Sequence, residues 1–181
     1  MGVVFHVIAG AGVAHAAATK HGLARPRVGL LILGCIAGLL THGVLDGLKH
    51  GYPMPATIDI VAGAALATAW CIAVRPPVRL LFGVVIAGAL LPDVVDHTPA
   101  MLRWKAGVRV PLNPLGPMFP WHWPEGSGSM TSGARDPERN LDLGRNRRVS
   151  FANHAIVLLL SAGCVLASPW AFRWSRESSR G

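Results

Sequence analysis

The chain has 181 residues, of which 51% are hydrophobic and 14% are charged, and its mean hydropathy is +0.42. A soluble domain of this size carries about 25% charged residues, so the composition argues against a soluble domain. The length allows one domain, and the apolar residues are concentrated in blocks. We therefore expect an all-α, polytopic membrane helical bundle.

The formal charge of +8 and the pI near 10.7 could indicate nucleic-acid binding. However, the basic residues lie in loops and tails between apolar segments, where such residues anchor and orient a membrane protein. We therefore expect no nucleic-acid partner. The three cysteines, Cys35, Cys71 and Cys164, lie singly in apolar segments and form no Cys-x-x-Cys pair, so neither a thiolate zinc site nor a redox motif is expected.

About five transmembrane helices are predicted, because five apolar segments follow one another along the chain. A crossing helix needs about 20 apolar residues, and the first, third and fourth segments are at or just under that length. The segments do not alternate as strands would, and lipid offers no partner for an open sheet edge. If all five cross, the termini lie on opposite sides. The segments are residues 2–18, 28–48, 58–74, 80–95 and 151–170.

A long connection, residues 98–150, precedes the last apolar segment and contains half of the chain's tryptophans. Its prolines prevent a long regular helix, and tryptophan prefers the bilayer interface. We expect a mostly irregular connection over one membrane face. The chain then divides into a four-helix region (1–97), this interfacial connection (98–150), and a final helix with a basic tail (151–181).

Three titratable residues mark the end of the second segment. His42, Asp46 and His50 are spaced four residues apart, which places them on one helix face. Such groups are costly to bury in a membrane, so each needs a partner or a function. A His-x-x-x-Asp pair presents two metal ligands from successive helical turns.

Further titratable residues occur at the ends of other segments. Asp93, Asp96 and His97 end the fourth segment, while His6 lies early in the first and His154 early in the fifth. With five crossings, all of these positions lie at the membrane face that also holds His42, Asp46 and His50. A common site is therefore predicted, although mutual hydrogen bonding and helix capping would also explain these groups.

Histidine and carboxylate ligands suit a divalent metal ion, with zinc as the first choice and manganese or iron as alternatives. Asp96 or His50 could act as general base, and the Trp121-His122-Trp123 segment could cover the site. The residues expected to bind the metal are His42, Asp46, Asp93, His97, His6 and His154.

Two of these motifs resemble a known family. Gly38-Leu-Leu-Thr-His42-Gly-Val-Leu-Asp46, followed by Gly51-Tyr-Pro-Met-Pro55, resembles the Ser/Thr-His-x-x-x-Asp element of bacterial inner-membrane proteins described as membrane-bound metal-dependent hydrolases. Leu91-Pro-Asp-Val-Val-Asp-His97 is similar to their Leu-Pro-Asp-x-Asp-His-Pro element, and His6 matches their early histidine. The two elements occur here in reversed order, and the family's His-Arg-Gly-x-Thr-His motif is missing. The resemblance implies a multi-pass protein of the cytoplasmic membrane with a metal site.

Three functions are compatible with these features. The first is a metal-dependent hydrolase acting on a lipid or lipid-linked substrate. The second is a non-enzymatic accessory subunit of a larger membrane protein complex that ligates a pigment or haem. The third is a proton or ion pathway. An isolated histidine facing lipid would favour the accessory subunit, whereas converging histidines and aspartates would favour a metal centre.

Overall fold

The computed structural model describes residues 2–21, 26–51, 56–108, 117–123 and 143–167. Every regular element in these ranges is helical, which confirms the all-α fold. A short 3-10 turn, Pro120–His122, lies between the fourth and fifth helices. The five helices are α1 (Val3–His21), α2 (Val28–Gly47), α3 (Ala56–Ala73), α4 (Pro76–Ala106) and α5 (Leu143–Leu166).

Three helical stretches are long and apolar enough to cross a membrane: Val28–Gly47, Pro76–Pro99 and Arg148–Leu166. The apolar parts of α1 and α3, Val3–Thr19 and Thr57–Ala73, are shorter. All five lie on the apolar segments identified from the sequence. The composition of these helices is consistent with membrane association.

Helices α4 and α5 extend further into residues 98–150 than the sequence predicts. Helix α4 contains Pro92 and Pro99 and ends at Ala106, where Gly107 adopts a left-handed φ of 67°. Glycine is favoured in this conformation because it has no Cβ. Helix α5 already begins at Leu143. The described ends of the connection are thus helical, and residues 109–116 and 124–142 lie outside the described ranges.

Helix α1 is central and contacts all four other helices. It runs parallel to α3, because Val3 bonds to Asp59 near the starts of both helices and His15 pairs with Trp70 near their ends. Corresponding contacts show that α5 also runs parallel to α1, and that α2 and α4 run in the opposite direction. Successive helices along the chain therefore alternate in direction.

Helices α2 and α4 pack with their backbones in close contact. A Cβ atom at Gly38 would collide with the backbone carbonyl of Val85, and one at Gly88 would collide with that of Cys35. Glycine permits this approach, as small residues do at helix contacts in membranes. The two parallel helices therefore bring His42, near the end of α2, and Asp93, in the second half of α4, to the same end of the bundle.

Histidines are buried beside the apolar core, and aliphatic side chains are exposed on the outside of the bundle. Four histidines (His6, His15, His42 and His50) are at most 1% exposed. In contrast, the outer face of α2 carries a stripe of exposed aliphatic side chains. Buried polar groups and an apolar exterior are expected for a bundle surrounded by lipid. The stripe consists of Val28, Ile32, Ile36, Leu40 and Val44.

The buried carboxylate of Asp59 fixes the start of α1. It accepts hydrogen bonds from the backbone N–H groups of Val3 (2.6 Å) and Val4 (3.1 Å). The first turn of a helix has unpaired N–H groups and a partial positive charge, so a carboxylate there is favourable. A Cβ at Gly2 would lie 2.8 Å from the Asp59 oxygens, and the glycine leaves that space free. This cap holds the turn that carries His6.

Candidate metal centre

Four titratable side chains converge where α2, α4 and the 3-10 turn meet. Each offers one ligand atom, and these four atoms lie within 4.8 Å of one another. Helix α2 contributes two residues one turn apart, α4 contributes one, and the 3-10 turn contributes the last. The four residues, called here the His/Asp cluster, are His42, Asp46, Asp93 and His122.

Three of these residues form a tight group. His42 Nε2 lies 3.0 Å from Asp46 Oδ2 and 3.1 Å from His122 Nε2, and His122 Nε2 lies 3.1 Å from Asp46 Oδ2. Asp93 Oδ1 is slightly farther away, at 3.8 Å from His42 Nε2 and 3.6 Å from His122 Nε2. These distances describe a small space bounded by two nitrogen and two oxygen atoms.

The hydrogen bonds of the two histidines leave their Nε2 atoms available as ligands. His42 Nδ1 donates to the backbone carbonyl of Ala89 at 2.6 Å, since a carbonyl can only accept. His122 Nδ1 donates to Asp96 Oδ2 at 2.8 Å. In a neutral imidazole, the other nitrogen then carries a lone pair, and both lone pairs point into the cluster. Such bonds from the second ring nitrogen are usual for metal-binding histidines.

The spacing of the His/Asp cluster fits a small divalent cation. Zinc binds histidine nitrogen and carboxylate oxygen at about 2.0–2.2 Å, and the edges of such a tetrahedron are about 3.3–3.6 Å long. The five edges given above, 3.0 to 3.8 Å, bracket that value. A cation would also supply the positive charge that two histidine lone pairs and two carboxylates lack. The donor set therefore fits a metal ion.

Asp96 holds the segment that supplies His122. Its two oxygens accept the backbone N–H groups of Met118 (2.8 Å) and Phe119 (3.0 Å), and the second oxygen also accepts the His122 Nδ1–H. Asp96 is buried and lies on α4, one turn beyond Asp93. Residues 117–123 are therefore attached to α4 at the point that places His122 over the end of α2.

The pKa of His122 is shifted by two opposing effects. Burial lowers it, but hydrogen bonds to Asp46 and Asp96 and the charge of Asp93 outweigh burial and raise the pKa above its ordinary value. Without a bound cation, the raised pKa favours an added proton on His122 Nε2, which then donates to Asp46 Oδ2, and a metal ion would replace that proton.

A glycine on α2 makes room for the tryptophan that precedes His122. A Cβ atom added to Gly43 would lie 2.8 Å from the Trp121 ring. The indole thus rests against the α2 backbone directly after His42, and its ring centroid lies 6.2 Å from that of His42. This contact and the Asp96 bonds hold residues 117–123 from two sides.

His6 lies beside the His/Asp cluster and contacts it through Asp46. Its Nε2 is 3.1 Å from Asp46 Oδ1, while Asp46 Oδ2 is the oxygen that faces His42 and His122. The His6 ring also stacks on the His42 ring at 3.9 Å. His6 therefore orients two members of the cluster, and its predicted role as a metal ligand stays a prediction.

His97 lies at the exposed edge of the cluster. Its side chain is 53% exposed, its Nε2 lies 3.6 Å from Asp93 Oδ1, and its ring centroid is 4.6 Å from that of His122. Asp93, at 18% side-chain exposure, is the most accessible of the four cluster residues. The Asp93–His97 pair thus marks the accessible side of the cluster. His97 is not one of the four cluster residues, and its role as a metal ligand stays a prediction.

The remaining predicted residues lie in the neighbouring contact between α5 and the turn after α2. His154 Nδ1 donates to the Ser150 carbonyl at 2.7 Å, and its ring packs edge-on against Phe5. His50 Nδ1 donates to the Leu48 carbonyl at 2.7 Å. Burial lowers the pKa of His50 to about 4, so it is neutral at pH 7.

His122 is the cluster residue that sequence reasoning missed as a ligand. The sequence placed it on the correct face and in a covering segment, but that segment lies beyond the end of α4 and outside its helical repeat. No helical spacing relates it to Asp93 or His42. The available signal was a histidine between two tryptophans and near several prolines, on the membrane face that collects the other histidines.

No protein-family model matches the chain, and neither the curated proteins nor the solved structures contain a match. The fold and the site define the class of protein: an all-helical chain with membrane-type helices and a His/Asp cluster at one end of the bundle. The family resemblance depends on the motifs around His42, Asp46, Asp93 and His97 alone.

Proposed function

We propose that the chain is a multi-pass protein of the bacterial cytoplasmic membrane and a metal-dependent hydrolase acting on a lipid or lipid-linked substrate. A divalent metal ion, with zinc as the first choice and manganese or iron as alternatives, would be held by His42, Asp46, Asp93 and His122. The observation that carries this proposal is the convergence of four ligand atoms with both histidines fixed through Nδ1.

The alternating direction of the helices supports five crossings. Helices α1 and α3, with 19 and 18 residues, are about 27–29 Å long at 1.5 Å per residue, close to the roughly 30 Å of a bilayer core. A mismatch of a few Å costs only fractions of a kcal/mol per Å and is met by local thinning. The His/Asp cluster would then lie near one membrane face, within reach of lipid headgroups.

A cation bound here would act as a Lewis acid, polarising an ester or phosphoryl oxygen and making a water molecule more acidic. His42 and Asp46, both buried, would provide the rigid part of the site together with His122. Asp93 is farther from the histidines and more exposed, so it is the group beside which a substrate oxygen fits. Exposed His97, close to Asp93, is placed to exchange a proton with substrate or leaving group.

The arrangement favours a metal hydrolase over a pigment- or haem-binding accessory subunit. A haem or pigment needs one or two histidines facing a flat, apolar cavity. In the described residues, the two cluster histidines instead share a small polar space with two carboxylates. Carboxylates beside a histidine nitrogen suit hard or borderline divalent cations.

Metal analysis of the purified protein tests the proposal. The protein would be purified in detergent, stripped with a chelator and reloaded, and we expect about one tightly bound ion per chain. His42→Ala and Asp46→Ala should lose the ion. His15→Gln, which changes a buried histidine at the other end of α1, should retain it. An absence of tight binding in the wild type, or unchanged binding in the two alanine variants, would reject the metal centre.

A second assay tests the reaction. The reloaded protein would be mixed with lipid phosphomonoesters, phosphodiesters and carboxylic esters in mixed micelles. Metal-dependent hydrolysis of one class, lost on chelation and in Asp46→Ala, is the expected result. Metal binding without hydrolysis of any class would leave the metal centre in place but contradict the hydrolase.

A further inference from the structure

An open groove lies on the outside of α3 and α4, away from the His/Asp cluster. Its volume is about 410 Å³, which is in the range of small-molecule binding sites. Apart from an arginine at one end, the walls are mostly small or aliphatic. The residues that define it include Ala67 and Cys71 of α3 and Arg79, Gly83, Ile86 and Leu90 of α4.

The groove has the length of a lipid chain in one leaflet. From Arg79 to Leu90, helix α4 rises by about 17 Å, whereas one half of a bilayer core is about 15 Å thick. Arg79 lies three residues after the start of α4, at the end of the bundle opposite the His/Asp cluster. A chain occupying the groove would therefore end with its headgroup beside Arg79.

Gly83 leaves the middle of the groove open. A Cβ atom at this position would meet no atom of the described residues within 4 Å. This glycine therefore differs from Gly38 and Gly88, which are required for backbone contact between α2 and α4. At Gly83 the missing side chain creates space that protein atoms do not fill.

Arg79 has hydrogen-bonding capacity left over. Its Nη2 donates one long bond, 3.4 Å, to the Ile72 carbonyl at the end of α3, while its Nε is buried without a hydrogen-bond partner in the described part of the chain. A guanidinium has five N–H donors that suit phosphate oxygens. All acidic residues in the described ranges lie at the other end of the bundle: Asp46, Asp59, Asp93 and Asp96.

We propose that this groove binds an anionic phospholipid, with an acyl chain along α4 and the phosphate at Arg79. The proposal rests on the membrane-crossing topology proposed above and does not involve the metal chemistry. An acyl chain suits the apolar walls, and the phosphate supplies acceptors for the guanidinium N–H groups that the one long bond to Ile72 leaves unused. Lipid binding should therefore also stabilise this end of the bundle.

Native mass spectrometry with added lipids tests the proposal. Phosphatidylglycerol and phosphatidylcholine with identical acyl chains would be titrated into the protein in mild detergent. We expect about tenfold tighter binding of phosphatidylglycerol, because both lipids carry the phosphate but the choline ammonium of phosphatidylcholine offsets its negative charge beside Arg79. Arg79→Gln should abolish this preference, whereas Arg75→Gln, which changes the neighbouring arginine at the helix cap, should retain it.

Gly83→Leu provides an independent test, because the open space should accept the side chain while excluding the lipid. It should weaken binding of both phospholipids. All three variants should keep the metal content of the wild type, so a failure of the lipid site can be told apart from a failure of the metal centre. Equal affinity for the two lipids, an unaltered preference in Arg79→Gln, or equally effective competition by glycerophosphoglycerol, which has no acyl chains, would overturn the proposal.

Discussion

His42 and His122 face each other through their Nε2 atoms at 3.1 Å, although 80 positions separate them in the chain. Each ring already donates a hydrogen bond through Nδ1, so neither neutral ring has a second proton to place between them. A cation or an added proton is needed there. The sequence predicts His97 as a ligand, whereas the geometry favours His122.

The two histidines can therefore be compared directly. We expect His122→Ala to lower the affinity for zinc by more than about 100-fold, beyond the 10–100-fold typical of losing a supporting residue. His97→Ala should have a much smaller effect on affinity, because this side chain lies outside the tight group. Competition with a chromophoric chelator would measure both constants. A larger loss in His97→Ala than in His122→Ala would contradict the proposed ligand set.

Asp96 should act by positioning His122. Asp96→Asn removes the negative charge and one acceptor from the Met118–Phe119–His122 network, so we expect the zinc affinity to fall by about 10–100-fold. Asp59→Asn is the matched control, because Asp59 is also a buried carboxylate that accepts two backbone N–H groups. It should lower the melting temperature, at a cost of about 1 kcal/mol, and lower zinc affinity less than Asp96→Asn, because Asp59 reaches the cluster only through the turn that carries His6. Equal affinities in the two variants would exclude the positioning role.

The space at Gly43 should be required for the docking of Trp121. In Gly43→Ala the new methyl group collides with the indole, so residues 117–123 must shift and carry His122 with them. We expect about a tenfold loss of zinc affinity, the lower end of the range for losing a residue that supports a metal ligand. Gly47→Ala, one turn further along α2, places its methyl group in open space and should bind zinc normally. Tryptophan fluorescence would report the displaced ring independently.

Close contact between α2 and α4 should depend on Gly38. Gly38→Ala forces the two backbones apart, and overpacking of this kind costs about 1–3 kcal/mol. Gly29→Ala, in the same helix, meets no atom within 4 Å and should be neutral or slightly stabilising. Thermal unfolding in detergent would measure the difference. A melting temperature in Gly38→Ala at or above that of Gly29→Ala would contradict the described packing.

The helical positions of the site could be predicted from the sequence because helix geometry is local. Four-residue spacing placed His42 and Asp46 on one face, and alternating segments placed the ends of α2 and α4 together. The distance between those ends is set by glycine contacts such as Gly38 against Val85, which fix how closely α2 and α4 approach.

The irregular part of the site was harder to predict. The segment that carries His122 is held by three hydrogen bonds to Asp96 and by the fit of Trp121 against Gly43. Each of these contacts depends on tertiary packing. The sequence predicts α4 and α5 to be shorter than they are in the structure. The reason is that their polar turns extend beyond the apolar segments, and hydropathy alone does not detect a polar helical turn.

The four cluster residues come from two helices, α2 and α4, and from a separate short segment. The residues on α2 and α4 come together only when these helices have associated, and His122 joins them only when its segment has packed against both. If the four residues hold the proposed metal ion, the ion would bind after these steps, and its presence would report that the helices have assembled correctly. Metal content would then measure folding yield separately from any measure of activity.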